Sequence, residues 1–256
     1  VTLLLAQVAY ADDARLDDAR WWFLGLGAAS AATIVWQEAL APEQPQRTQE
    51  GFTWLYGEPA TPKALNEDAA TWARASDVLM LGAIGADLAY AGTFSDVDLT
   101  LHLEALMAGF VTIQTLKLTV RAPRPTTWIS ADELATLAER DPERAAELAQ
   151  DRASTDAWMS FPSGHAGLAA TASAALATQL WLEERPGWAA AATAGGAAVT
   201  VGTGLARVEA GKHHPVDVVV GGLLGAGAGV GVPLLGHRTG PQIVALPGGA
   251  AVAGRW

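Results

Sequence analysis

The sequence predicts an all-α fold, a single-domain bundle of about six core helices. Three observations predict it. Apolar stretches of helical length recur at 21–37, 77–94, 101–120, 164–182, 187–206 and 216–235. Polar breaks separate them, at 38–70 (rich in Pro, Gln and Glu) and at 126–160. No period-two alternation runs long enough to argue for a sheet. Half of the 256 residues are hydrophobic and 17% are charged, enough apolar content for a packed helical body without disulfides. The absence of cysteine excludes thiolate catalysis and Cys-ligated metals.

In chain order, Leu3-Leu4-Leu5-Ala6-Gln7-Val8-Ala9-Tyr10-Ala11, followed by Asp12-Asp13, resembles the end of a secretory signal peptide. The expectation is therefore a signal-peptide remnant at 1–11, a helical domain at 12–238, a tail at 239–256, and an exported, periplasmic or envelope location. A first helix of the mature fold is the alternative for 1–11. The insertion at 126–160 carries its own start signals. Ser130-x-x-Glu133 reads as a capping box, and Asp141-Pro142 as an N-cap followed by Pro in the first turn. Two short solvated helices are expected there, as a lid or a plain flank.

Three apolar stretches reach the ~20 residues that a membrane span needs. Against spanning, 77–94 holds Asp87 and 101–120 holds His102, Glu104 and Lys117. The loops expected inside hold Asp96, Asp98, Glu104, Glu183 and Glu184 against Arg185 alone, the reverse of the positive-inside bias. Gly221-Gly222-x-x-Gly225-x-Gly227-x-Gly229 suits close helix packing in lipid or water alike. On these grounds the sequence favours a soluble exported bundle, with membrane-surface contact open.

The net charge of −11 excludes general nucleic-acid binding, which needs clustered cations. The few cations gather near histidines, at Lys117, Arg121 and Arg124 and again at Arg207 and Lys212. That placement suits a small anion. Three clusters carry the chemistry. In the first, Lys117 and Arg121 share a helix face, and Pro123 and Pro125 fix where Arg124 leaves the helix. Basic residues at a helix C-terminus also serve the dipole, so this cluster alone is ambiguous.

In the second cluster, Phe161-Pro162-Ser163-Gly164-His165 opens a helix. There the free N–H groups and the dipole favour an anion, Gly164 admits close approach, and His165 stands ready for proton transfer. A plain Ser N-cap is the bland alternative. In the third, His213 and Asp217 of Arg207-x5-His213-His214-Pro215-Val216-Asp217 lie four apart, so the carboxylate can orient one imidazole nitrogen and free the other. His214 lies about 100° round the helix from His213.

Taken together, Lys-x6-Arg-Pro, Pro-Ser-Gly-His and Arg-x5-His-x3-Asp resemble the three-part motif of the type 2 phosphatidic acid phosphatase (PAP2) superfamily, which includes acid phosphatases and vanadium haloperoxidases. The gaps of 36 residues between Pro125 and Pro162 and of 41 between His165 and Arg207 fit that family. The match spans 117–217. Ala206 departs from it, standing where the family usually has Ser before the third-motif Arg.

The resemblance implies a phosphatase acting on a phosphorylated small molecule or lipid. His213 would attack phosphorus, Asp217 would hold its ring, and His165 would protonate the leaving alkoxide. Lys117, Arg124, Arg207, Ser163 and Gly164 would hold the phosphate, with no metal or other cofactor. The motif does not include Arg121, whose helix face suggests an outer charge.

Alternatives from other classes stay open: a haloperoxidase with vanadate as cofactor, or a non-catalytic anion-binding envelope protein. A zinc site at His213, His214 and Asp217 lacks a fourth ligand at metal-like spacing. Trp128, Trp158, Met159 and Phe161 flank the motifs as candidate pocket walls. Lipid phosphate, isoprenyl diphosphate and small phosphomonoester are all compatible with the sequence, and it does not set the oligomeric state.

Overall fold

The computed structural model describes residues 49–57, 62–93, 99–238, 242–246 and 249–253, with isolated helical positions at 25, 28, 29, 32 and 35. Residues 1–11 lie outside the described residues. Five long helices form the body: α1 Ala69–Thr93, α2 Leu99–Val120, α5 Gly164–Leu182, α6 Pro186–Glu209 and α7 Pro215–Arg238. Two short ones, α3 Ala131–Arg140 and α4 Pro142–Ala153, build the insertion. The all-α body is as expected. Beyond it a two-stranded antiparallel hairpin pairs β1 Gln242–Leu246 with β2 Gly249–Ala253, where the sequence suggested only a tail. The segment is short, but Ile243-Val244 and Val252 favour strands and Pro247-Gly248 favours a tight turn.

Helix α1 starts eight residues before the apolar stretch that signalled it. Its first two turns are Ala-rich but interrupted by Thr71, Arg74 and Ser76, and Trp72 donates its ring N–H to Asp68 at 2.8 Å ahead of the helix. Helix α2 ends at Arg121, whose φ of 50° is the left-handed conformation of a helix stop, here without the usual glycine. Both insertion signals form as read. Ser130 Oγ accepts from the Glu133 N–H at 3.2 Å while Glu133 accepts from the Ser130 N–H at 2.7 Å. Asp141 caps α4 by accepting from the Arg144 N–H at 2.9 Å.

The insertion folds on its own small core of Ile129, Leu137, Ala145 and Leu148 against Ala64. It is pinched at its base by two backbone bonds, Arg124 N–H to Ala157 O at 2.7 Å and Ser160 N–H to Ala122 O at 2.9 Å.

Helix α5 runs through the centre and buries Ala166, Gly167, Ala169, Ala170, Ala172 and Ala175. It meets α7 backbone to backbone. Cβ atoms built on Gly221, Gly225 and Gly229 would stand 2.3, 1.9 and 2.2 Å from the carbonyl oxygens of Ser163, Gly167 and Thr171. From Gly221 to Gly229 every fourth residue of α7 is thus a glycine seated on α5, the small-residue mode of close helix packing.

Outward, the bundle is apolar. Val78, Leu81, Val201, Leu205, Val219, Leu223 and Leu235 are all well exposed. Three segments, Leu99–Trp128, Pro186–Glu209 and Pro215–Gly236, are long and apolar enough to cross a membrane.

Candidate active site

Four helix ends converge at one end of the bundle. Lys117 comes from the last turn of α2, Ser163, Gly164 and His165 from the start of α5, Arg207 from the last turn of α6, and Asp217 from the first turn of α7. Arg124 and His213 arrive on the connections just outside α2 and α7. Every residue of the three motifs therefore meets here. Helices α5 and α7 offer N-terminal N–H groups and positive dipole ends, and the cations ride on C-terminal turns that favour them.

Lys117 is buried, donates to Met159 O at 2.6 Å and lies beside Gly164, whose built Cβ would stand 3.9 Å from Lys117 Cε. Arg124 reaches the half-exposed Asp156 at 2.7 Å. Arg207 is buried, with Nη1 3.4 Å from Ser76 Oγ and 3.9 Å from Asp77. Ser163 caps α5 without using its side chain: the residue is fully buried and its hydroxyl has no partner. Its N–H donates to Asp217 O at 2.9 Å, which ties the two helix starts together. A buried hydroxyl left unpaired costs free energy, and such a group at a helix mouth is a seat for an incoming acceptor or donor.

Asp217 is held from three sides. Its Oδ2 accepts from Ser160 Oγ at 2.6 Å and from the His214 N–H at 2.9 Å, and its Oδ1 accepts from the Tyr56 hydroxyl at 3.0 Å. His213 Nδ1 stands 3.5 Å from Oδ2 and makes no hydrogen bond, so the expected pair is adjacent but not closed in the free protein. Bonds of this kind commonly tighten only on the bound substrate. Burial, and then the charges of Lys117, Arg124 and Arg207, hold the His213 imidazole well below its usual range, which keeps it neutral. A neutral imidazole has the lone pair that nucleophilic attack requires. Burial also brings His214 down to about 4.

Several contributors escaped the sequence reading. Tyr56 stacks on His214 at 3.7 Å between ring centroids, with Trp128 at 4.9 Å on the same imidazole. Burial and the charge of Asp217 push its hydroxyl up, so it stays a donor. Asp77 on α1 contacts His165 Nε2 at 2.8 Å. Ser160 sits three residues before Ser163 and could have been suspected from that adjacency. Asp77, a lone acid heading an apolar stretch, gave the other usable signal; nothing local marks Tyr56. Arg121 turns back on its own helix, its Nε donating to Leu118 O at 3.4 Å, and ends α2. Trp128 and Met159 do border the site through His214 and Lys117.

The model of the PAP2 superfamily matches residues 98–240, more than half of the chain. No curated protein and no solved structure matches it.

Proposed function

The chain belongs to the PAP2 superfamily, and from that premise we propose that it is a membrane-embedded phosphatase that hydrolyses lipid phosphate esters through a phosphohistidine on His213. One observation carries the chemistry: a buried, neutral imidazole at which the charges of Lys117, Arg124 and Arg207 all converge. Three cations around a nucleophile suit an electrophile that is itself a polyanion, and phosphoryl transfer is catalysed mainly by positioning and charge neutralisation.

The phosphate oxygens lie against Lys117, Arg124, Arg207, the Ser163 hydroxyl and the free N–H groups that open α5. His213 Nε2 attacks phosphorus in line with the ester oxygen, and Nδ1 closes onto Asp217 as positive charge develops on the ring. His165 gives its proton to the leaving alkoxide. In the second half it takes a proton from water, the resulting hydroxide displaces His213, and the free nucleophile is restored.

The lipid assignment rests on the surface. Exposed Trp72 on α1 marks the end that carries the site, and exposed Trp181 on α5 and Trp188 on α6 mark the far end. From Trp72 to Tyr90, which hydrogen-bonds Glu183 near the far end, α1 rises about 27 Å. That rise gives the height of the bundle, close to a hydrocarbon core of ~30 Å with an aromatic belt at each face, and α2, α6 and α7 are the helices apolar enough to cross it. The exposed Val and Leu side chains between the belts outweigh the acidic loops that favoured a soluble body. The site then lies at the headgroup level, within reach of a lipid phosphate.

Detergent-solubilised wild type should hydrolyse both phosphatidic acid and p-nitrophenyl phosphate, and His213→Ala should lose both. Turnover that survives His213→Ala overturns the mechanism. Activity confined to p-nitrophenyl phosphate overturns the lipid assignment.

A further inference from the structure

Asp77 belongs to none of the three motifs, and it lies outside the region 98–240 that matches the family. Yet α1 delivers its carboxylate into the site, 2.8 Å from His165 Nε2 and 3.9 Å from Arg207 Nη1. Half of the side chain is exposed, so it is not part of the core. With Nε2 engaged by a carboxylate, Nδ1 is the nitrogen left for the leaving oxygen. We propose that Asp77 is a positioning residue for His165 that selects the leaving group: it suits this enzyme to phosphate monoesters of aliphatic alcohols and disfavours diphosphates.

This rests on the phosphatase reading above and extends it to the substrate class. Two effects of one carboxylate act in the same direction. When the P–O bond of an alkyl phosphate breaks, its electron pair goes to an alkoxide, a very strong base that departs only as it takes the His165 proton. Burial and the charge of Arg207 bring His165 down to about 4 in the free protein. A carboxylate on the opposite ring nitrogen, together with the negative charge of the bound phosphate, favours the imidazolium that supplies this proton and fixes its direction. When a diphosphate is cleaved, the departing group is a phosphate, stable as an anion and in no need of that proton. The same carboxylate then repels the charge that gathers on the leaving side. His213 takes the phosphoryl group in both cases, so Asp77 alters the partition between substrates without altering the nucleophile.

The test compares wild type and Asp77→Asn on three substrates in one detergent: phosphatidic acid, p-nitrophenyl phosphate and farnesyl diphosphate. Asn keeps the size and removes the charge. Wild type should prefer phosphatidic acid to farnesyl diphosphate. In Asp77→Asn, kcat for phosphatidic acid should fall about 100-fold, the scale of general-acid catalysis. The other two, whose leaving groups depart unaided, should change by less than about tenfold, so the monoester-to-diphosphate ratio of kcat/KM collapses. A loss of equal size on all three substrates, or none on phosphatidic acid, overturns the role of Asp77 and leaves the phosphatase standing. A wild type inert toward all three overturns the phosphatase reading itself, and the role of Asp77 with it.

Discussion

Replacing Gly225 by Ala places a methyl group where α7 lies on the backbone of α5. The new Cβ would stand 1.9 Å from Gly167 O, 2.7 Å from its carbonyl carbon and 2.9 Å from its Cα. None of these atoms can rotate away, so the helices must part by at least about 1.1 Å to bring the closest contact to 3.0 Å. Alanine gains about 0.5–1 kcal/mol over glycine in a helix interior. Forcing an extra methyl into a packed interface costs about 1–3 kcal/mol. The net is a destabilisation of up to about 2.5 kcal/mol.

The effect on catalysis should be larger, because α5 delivers Ser163 and His165 while α7 delivers Asp217. A misplacement of about 1 Å costs on the order of 100-fold in rate. Gly227, on the same helix, has nothing within 4 Å of a built Cβ. Gly227→Ala should therefore show the helix gain alone, with a slightly raised Tm and normal turnover. Thermal melts and kcat/KM for p-nitrophenyl phosphate on both variants decide the matter. A Gly225→Ala protein that melts and turns over like wild type, or a Gly227→Ala protein equally impaired, refutes the reasoning from backbone contact.

Three further expectations follow from the site. Ser163→Ala removes a buried hydroxyl that has no partner, so stability should hold or rise by up to about 1 kcal/mol, read as an unchanged or raised Tm, while KM increases. Tyr56→Phe removes one of three donors to Asp217, and kcat should fall about tenfold with KM little changed; an unchanged kcat would make Tyr56 packing only. Because native His213 and His214 are held neutral and the unfolded chain protonates both near pH 6.5, the unfolded state binds more protons below that pH. Stability should then fall as pH drops from about 6.5, for His214 down to about 4. Melts across that range should show a shallower slope in His214→Phe, which keeps the ring and loses the titration.

What the sequence disclosed is what local spacing encodes. Ser130 with Glu133, and Asp141 with Arg144, cap their helices because a cap is a contact between residues three apart. His213 and Asp217 share a helical turn, and Lys117, Arg124 and Arg207 were recognisable because cations are scarce in this acidic chain. The α1 start was misplaced because a continuous apolar run located the helix, while Thr71, Arg74 and Ser76 interrupt its Ala-rich first two turns. Tyr56 and Asp77 reach the site across 161 and 88 residues of sequence. No spacing rule connects positions so far apart, and only packing of α1 and of the 49–57 segment against the bundle reveals them. The glycine row of α7 was visible as a pattern. Its partner, the backbone of α5 at Ser163, Gly167 and Thr171, became visible only with the helices in register.

The two backbone bonds at the base of the insertion, Arg124 to Ala157 and Ser160 to Ala122, have an evolutionary consequence. They close residues 125–156 into an appendage with its own small core, while the residues that grip the substrate lie on the bundle side of the clasp. Selection can lengthen, shorten or replace that appendage without retuning the machinery below it. A chimaera that exchanges only this cassette between related enzymes would keep the reaction and the phosphate grip of the parent that supplies the bundle.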